Sequence, residues 1–217
     1  MSNPWKEWIE RAQDLGFTEA PILAPQKAPP QPRSTLADVR ADLGDCQRCG
    51  LCSERQNLVF GDGPATADLM IIGEGPSPHD DQQGLPFVGA AGELLTAMIE
   101  KGLQRPRSEV YITNVVKCHA PNNRDPKPEE VAACAPFLES QIRAVQPRAL
   151  LVMGAVALQA LAPEPGDIRQ RRGTWLEVLG IPTLPTHHPN YLLKQPDKKR
   201  EAWKDLQALI THMGWSQ

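Results

Sequence analysis

Cys46, Cys49, Cys118 and Cys134 have the residue type and the distribution of one metal site. Cys46 and Cys49 form a C-x-x-C pair, and the other two lie far downstream with no histidine at ligand spacing beside them. No apolar leader is read at the N-terminus, so a cytoplasmic, thiol-reducing location is expected and disulfides are not. Four converging thiolates suit a closed zinc site or an iron–sulfur cluster. Cys52 follows Cys49 by three residues, so spacing alone leaves the fourth ligand ambiguous.

A second set of residues could handle a planar ring. Gly73-Glu74-Gly75-Pro76 would let backbone N–H groups approach a ligand closely. It is neither a dinucleotide fingerprint nor a phosphate loop, because the required glycines and Gly-Lys-Ser/Thr are missing. Phe87, between Pro86 and Val88, could be a stacking platform. Asn114 could offer one donor and one acceptor to a base edge. His188, set at a turn by Pro189, could donate to charge developing on a leaving group. The neighbouring His187 is read as a plain loop histidine.

These residues need elements to position them. Apolar runs at 68–73, 110–116, 149–153 and 181–185 read as strands, and 175–179 is a further candidate. Helices are expected from Ser34 or Thr35 towards Leu43, and over 89–103, 127–145, 155–161 and 197–213. Such alternation predicts an α/β fold with a mostly parallel sheet covered on both faces. Ligands gather beyond the carboxyl ends of strands in such folds, so Glu74, Phe87, Asn114 and His188 are expected to share one pocket. Before Ser34, Trp5, Trp8, Ile9, Ala12 and Leu15 fall at helical spacing, and five prolines between Pro21 and Pro32 read as a linker. The expected organisation is therefore an N-terminal helix and Pro-rich linker over 1–33 and one compact domain over 34–217.

Composition narrows the class. The 217 residues carry a net charge of −3, which argues against a globally basic binder. Residues 166–204 nevertheless hold eight Lys/Arg against four acids, a local excess that suits a polyanion. No apolar run reaches the roughly 20 residues of a membrane helix.

Taken in order, the motifs resemble those of the family 4, iron–sulfur-containing uracil-DNA glycosylases. They are C-x-x-C; V-F-G-D-G; G-E-G-P…G-L-P-F-V-G-x-A-G-x-L-L; Y-I-T-N-V-V-K-C…N-N-R; a further Cys; and H-P-N-Y-L-L, from Cys46 to about Trp203. The resemblance implies a three-layer α/β/α fold with a four-stranded sheet. It implies a [4Fe–4S] cluster on Cys46, Cys49, Cys118 and Cys134, leaving Cys52 outside. It places uracil against Gly73, Glu74, Gly75, Pro76, Asp80, Phe87, Asn114 and His188, with Asp80 where the family crowds thymine's methyl group. Glu74 and His188 would be catalytic. Asn123, Arg124, Tyr191, Leu192, Leu193 and Lys194 would touch DNA, with Leu192 or Leu193 as a wedge into the vacated stack.

The implied activity is hydrolysis of the N-glycosidic bond of deoxyuridine in single- or double-stranded DNA, by a monomer without a membrane partner. Alternatives are a relative trapped covalently on uracil-DNA, a redox protein built on the cluster, and a zinc-stapled DNA-binding module. The covalently trapped branch carries a Lys-Arg-Arg-Ile-His insertion that is missing from Lys117–Arg124.

Overall fold

The computed structural model describes residues 34–162 and 166–215. The helix and Pro-rich linker expected over 1–33 lie outside the described residues. Helix α1 (Leu36–Leu43) opens on Thr35, whose hydroxyl accepts the Asp38 N–H while the Asp38 carboxylate takes the Thr35 N–H. Strand β1 (Leu69–Gly73) follows, then helix α2 (Pro78–Gln83) and helix α3 (Ala90–Ala97). A turn of π-helix, Met98–Leu103, continues α3. Strand β2 (Tyr111–Asn114), helix α4 (Pro128–Val145), strand β3 (Ala149–Met153) and helix α5 (Ala155–Leu161) come next. The chain then forms helix α6 (Ile168–Arg171), strands β4 (Leu176–Val178) and β5 (Ile181–Thr186), helix α7 (Pro189–Lys194) and helix α8 (Lys199–Met213).

The described strands form one sheet in the order β2-β1-β3-β5-β4. The first four run parallel, and β4 is an antiparallel edge paired to β5 from Leu176↔Thr183 to Val178↔Ile181. The expected mostly parallel α/β/α fold is correct, with five strands where four were implied. The extra one is the candidate at 175–179, which forms as the three-residue β4.

Alternation of side chains builds two cores from one sheet. Met70, Ile72, Tyr111, Leu150 and Val152 pack on one face against α4 and α5, with Leu51, Cys118 and Cys134. Leu69, Ile71, Ile112, Leu151 and Leu184 pack on the other against Leu95, Ile99 and α8, with Phe87. Each fully buried aliphatic side chain here contributes about 1.5–3 kcal/mol relative to exposure. The cysteines and the phenylalanine thus sit on opposite faces, and the carboxyl ends of the strands lie between them. The V-F-G-D-G segment runs along the free edge of β2 through reciprocal Asp62–Ile112 backbone bonds, while the Phe60 carbonyl accepts from Thr113 and Gln141. No helix among the described residues is long and apolar enough to cross a membrane.

Candidate active site

Three strand ends converge on a cavity of about 1020 Å³. Glu74, Gly75, Pro76 and Asp80 line it after β1, Asn123 and Arg124 after β2, and His188, Tyr191 and Lys194 after β5; Phe87 also lines it. Asn114, expected in the same pocket, is not among its lining residues: it is buried, and Gly73 separates its amide from the Phe87 ring. A Cβ on Gly73 would stand 2.5 Å from Phe87 Cζ and 2.5 Å from Asn114 Oδ1. Only glycine lets the ring and the amide approach one point. Past the strand ends, Val115 and Val116 N–H groups still bond the Gly73 and Glu74 carbonyls, which holds the two loops together.

Asn114 is 1% exposed, and both its side-chain amide atoms are buried without a hydrogen-bond partner. An unpaired buried polar group costs about 1–3 kcal/mol. Its backbone is fixed: Lys117 Nζ, fully buried, donates to the Asn114 carbonyl at 2.5 Å and to Thr113 Oγ1 at 2.7 Å.

His188 caps α7. Its Nδ1 accepts the Asn190 N–H at 3.1 Å, so the proton of the neutral ring is on Nε2. Burial lowers its pKa to about 4, with Asp80 opposing, so the ring is neutral at neutral pH. It lies 5.7 Å from the Phe87 ring, tilted by 34°. Glu74 moves the other way. Burial, then the charge of Asp125 and a hydrogen bond to it, raise the Glu74 carboxyl to about 7. Asp80 uses one oxygen on the Ser77 N–H and the other on the Val88 N–H, so it fixes the turn and the Phe87 loop while lining the cavity.

Phe87 has φ +57°, the left-handed region, which costs a bulky residue about 1–2 kcal/mol. Gly92 makes this possible, because a Cβ there would overlap the Phe87 carbonyl.

The DNA-facing set divides. Tyr191 and Leu193 are 37% and 40% exposed, and Lys194 is exposed. Leu192 is a correction to the expected contacts. It is 1% exposed and lines a smaller apolar groove of about 250 Å³ between α3, α7 and α8, so it is packed inward and cannot act as a wedge. Arg124 is bound bidentately by Glu130 at 2.7 and 2.8 Å, and Asn123 Oδ1 meets His119 Nε2 at 3.1 Å.

Sequence reasoning passed over several supporting groups. His187 is 3% exposed, hydrogen-bonded to Glu201 at 2.9 Å and packed 4.9 Å from the Tyr191 ring at a 35° tilt, so it props that ring. Arg107 grips the Phe87 loop. The Asp81 carboxylate accepts the Gln56 and Asn57 N–H groups, tying α2 to the cysteine segment. Their partners are 14 to 25 residues away, beyond any local pattern.

Cys118, Cys134 and Cys49 belong to the core on one face of the sheet, and Cys46 packs beside Phe60 and Phe137. Cys118 interacts electrostatically with Cys134 and Cys49, and Cys134 with Cys49 and Cys46; Cys52 takes part in none of these. Burial raises the Cys118 thiol to about 11, opposed by Arg55, whose Nη1 lies 3.2 Å from Cys118 Sγ. Arg55 also holds the Cys46 carbonyl and Asp45. Among the described residues no three His, Cys, Asp or Glu side chains meet at single-ion distance. The donor chemistry suits an all-thiolate cluster: all four candidate ligands are cysteines, and the Arg55 guanidinium beside Cys118 would offset thiolate charge.

The family model described as the uracil DNA glycosylase superfamily matches residues 60–207. The type-4 uracil-DNA glycosylase of Thermotoga maritima is 43% identical over 152 residues, covering 69% of this chain and 78% of that one. Those of Sulfurisphaera tokodaii and Archaeoglobus fulgidus are 35% and 36% identical, each over 81% of this chain and over 83% and 92% of their own.

Proposed function

The chain belongs to the uracil DNA glycosylase superfamily, in its type-4 branch, and excises uracil from DNA in base excision repair; on that premise we propose how its residues divide the work. The observation that carries the proposal is the orphaned amide of Asn114 beside the Phe87 ring. A flipped uracil would stack on Phe87, accept a hydrogen bond from Asn114 Nδ2 at a carbonyl, and donate its ring N–H to Asn114 Oδ1. A base with a different edge would leave that amide unsatisfied.

As the N-glycosidic bond breaks, its electron pair goes to the uracil ring and the sugar becomes an oxocarbenium ion. His188, neutral with Nε2–H available, donates to the carbonyl that gathers this charge. A single preorganised donor of this kind is worth about 3–4 kcal/mol. Water adds to the sugar and gives its proton to Glu74 in the carboxylate form, leaving an abasic site. Gly75 and Pro76 bound the ring, and Asp80 keeps the loop closed where a thymine methyl would enter. Leu193 is the wedge, and Asn123, Arg124, Tyr191 and Lys194 face the backbone.

Cys46, Cys49, Cys118 and Cys134 would hold a [4Fe–4S] cluster. When bound, it supplies a thiolate cross-link between the N-terminal segment, the end of β2 and α4. The domain boundary at residue 34, a monomer and a cytoplasmic location belong to the same proposal.

The test is uracil release from labelled oligonucleotides containing U:G, U:A, T:G or single-stranded uracil. Release from the uracil substrates, with T:G left intact, is expected. Full activity in both Asn114→Ala and His188→Ala would overturn these assignments.

A further inference from the structure

We propose that Arg107 is a positioning residue for uracil excision, holding the Phe87 ring in its stacking pose. The inference rests on the reading of Phe87 as the platform.

Arg107 comes from the short 3₁₀ turn Arg107–Glu109 that leads to β2, far from the loop it holds. Its Nη2 donates to the Pro86 carbonyl at 2.9 Å and to the Phe87 carbonyl at 3.2 Å. Successive carbonyls of an extended chain point to opposite sides. Two in a row can meet one nitrogen only where the backbone turns, as it does at Phe87 with φ +57°. The other arm is anchored, because Nη1 donates to Thr96 Oγ1 on α3 at 2.9 Å. The fork therefore fixes the loop relative to a helix, a geometry that a single ammonium cannot reproduce.

Neighbouring groups complete the grip. Asp80 accepts the Val88 N–H at 2.8 Å, so the backbone is held at Pro86, Phe87 and Val88. Gly92 leaves the space into which the Phe87 carbonyl turns. The guanidinium is half-buried, and burial weighs against its charge while Asp62, Asp80 and Glu100 favour it. Without Arg107, the loop carbonyls lose their donor and Phe87 is released towards an extended backbone. That would swing the ring away from Gly73 and Asn114.

A double-mutant cycle tests this. Single-turnover uracil release and binding of labelled free uracil are measured for Arg107→Met, Phe87→Ala and the double variant, with melting temperature as the folding control. Arg107→Met is expected to lower both readouts at least tenfold, and the double variant to match Phe87→Ala alone. A double variant showing the product of the two losses would overturn the proposal, as would an Arg107→Met protein within twofold of wild type. If Phe87→Ala is itself within twofold of wild type, the platform reading fails, and this inference with it. If only Phe87→Ala loses activity, the platform stands and Arg107 does not act through it. Should Arg107→Met fail to fold, Arg107→Lys takes its place in the same cycle and is judged by the same two outcomes.

Discussion

The side-chain nitrogen of Lys117 lies 2.5 Å from the backbone carbonyl of Asn114, inside the protein and out of contact with water, and burial lowers its pKa to about 7. The same group interacts electrostatically with Cys134 and Cys118. One side chain therefore links the backbone of the proposed base reader to the electrostatics of two cysteines. Asn114 is held by its main chain, which leaves its amide free for a ligand.

That separation makes Asn114→Ala informative. It should lower kcat/KM for uracil release at least tenfold, about 1.4 kcal/mol. It also removes two buried polar atoms that have no partner. The melting temperature is therefore expected to stay level or rise. A fall in melting temperature that tracks the lost activity would show that the amide serves the fold instead.

The pH profile separates Glu74 from His188. With its carboxyl raised to about 7, Glu74 is protonated below that pH and cannot take a proton from water. The rate constant for release should fall about tenfold per pH unit below 7. Asp125→Asn removes a raising charge and should move that limb to lower pH. His188, lowered to about 4, adds no limb above pH 5. The stability sign is opposite to that of a salt-bridged acid. The native chain keeps a proton that the unfolded chain loses near 4.5, so this group's contribution falls as pH rises from about 4.5 to 7. Glu74→Gln should flatten that slope in melts taken across the range.

Cysteine replacement should divide the five residues. Cys118→Ala and Cys134→Ala are expected to lose bound iron, visible absorbance and thermal stability together. Cys52→Ser should keep all three. Iron per chain, read beside the melting temperature, decides it; a colourless Cys52→Ser protein would return the fourth ligand to doubt.

For DNA contact, Lys194 and Lys198 should behave differently. Lys198 Nζ is paired with Glu201 at 2.7 Å, whereas Lys194 lines the cavity and is exposed. Lys194→Ala should reduce the slope of log affinity against log salt by about one. Lys198→Ala should change it less. Equal slopes for both variants would remove Lys194 from the phosphate contacts.

Much of this arrangement could be read from the chain because strand runs and glycine-rich ends are local. β1, β2, β3 and β5 were recognisable as apolar runs, and the rule about carboxyl ends brought Glu74, Phe87 and His188 to one cavity, whereas Asn114, expected with them, is buried and does not line it. Helix α7 was not recognised. It has six residues, too few to show a period, and its cap is an imidazole instead of a hydroxyl or carboxylate. Two adjacent leucines likewise carry no sign of which faces inward, and only the packing of α7 buries Leu192 and exposes Leu193. The left-handed backbone at Phe87 was hidden because its causes, Gly92 and Arg107, lie on other elements.

The adjacent acids Asp80 and Asp81 reach in different directions, one to Val88 and the other to Gln56 and Asn57. A single helical turn is thus the common hinge-pin of the cysteine segment and the stacking loop. If that turn unravels as one unit, amide exchange at Asn57 and Val88 is expected to proceed at one common rate.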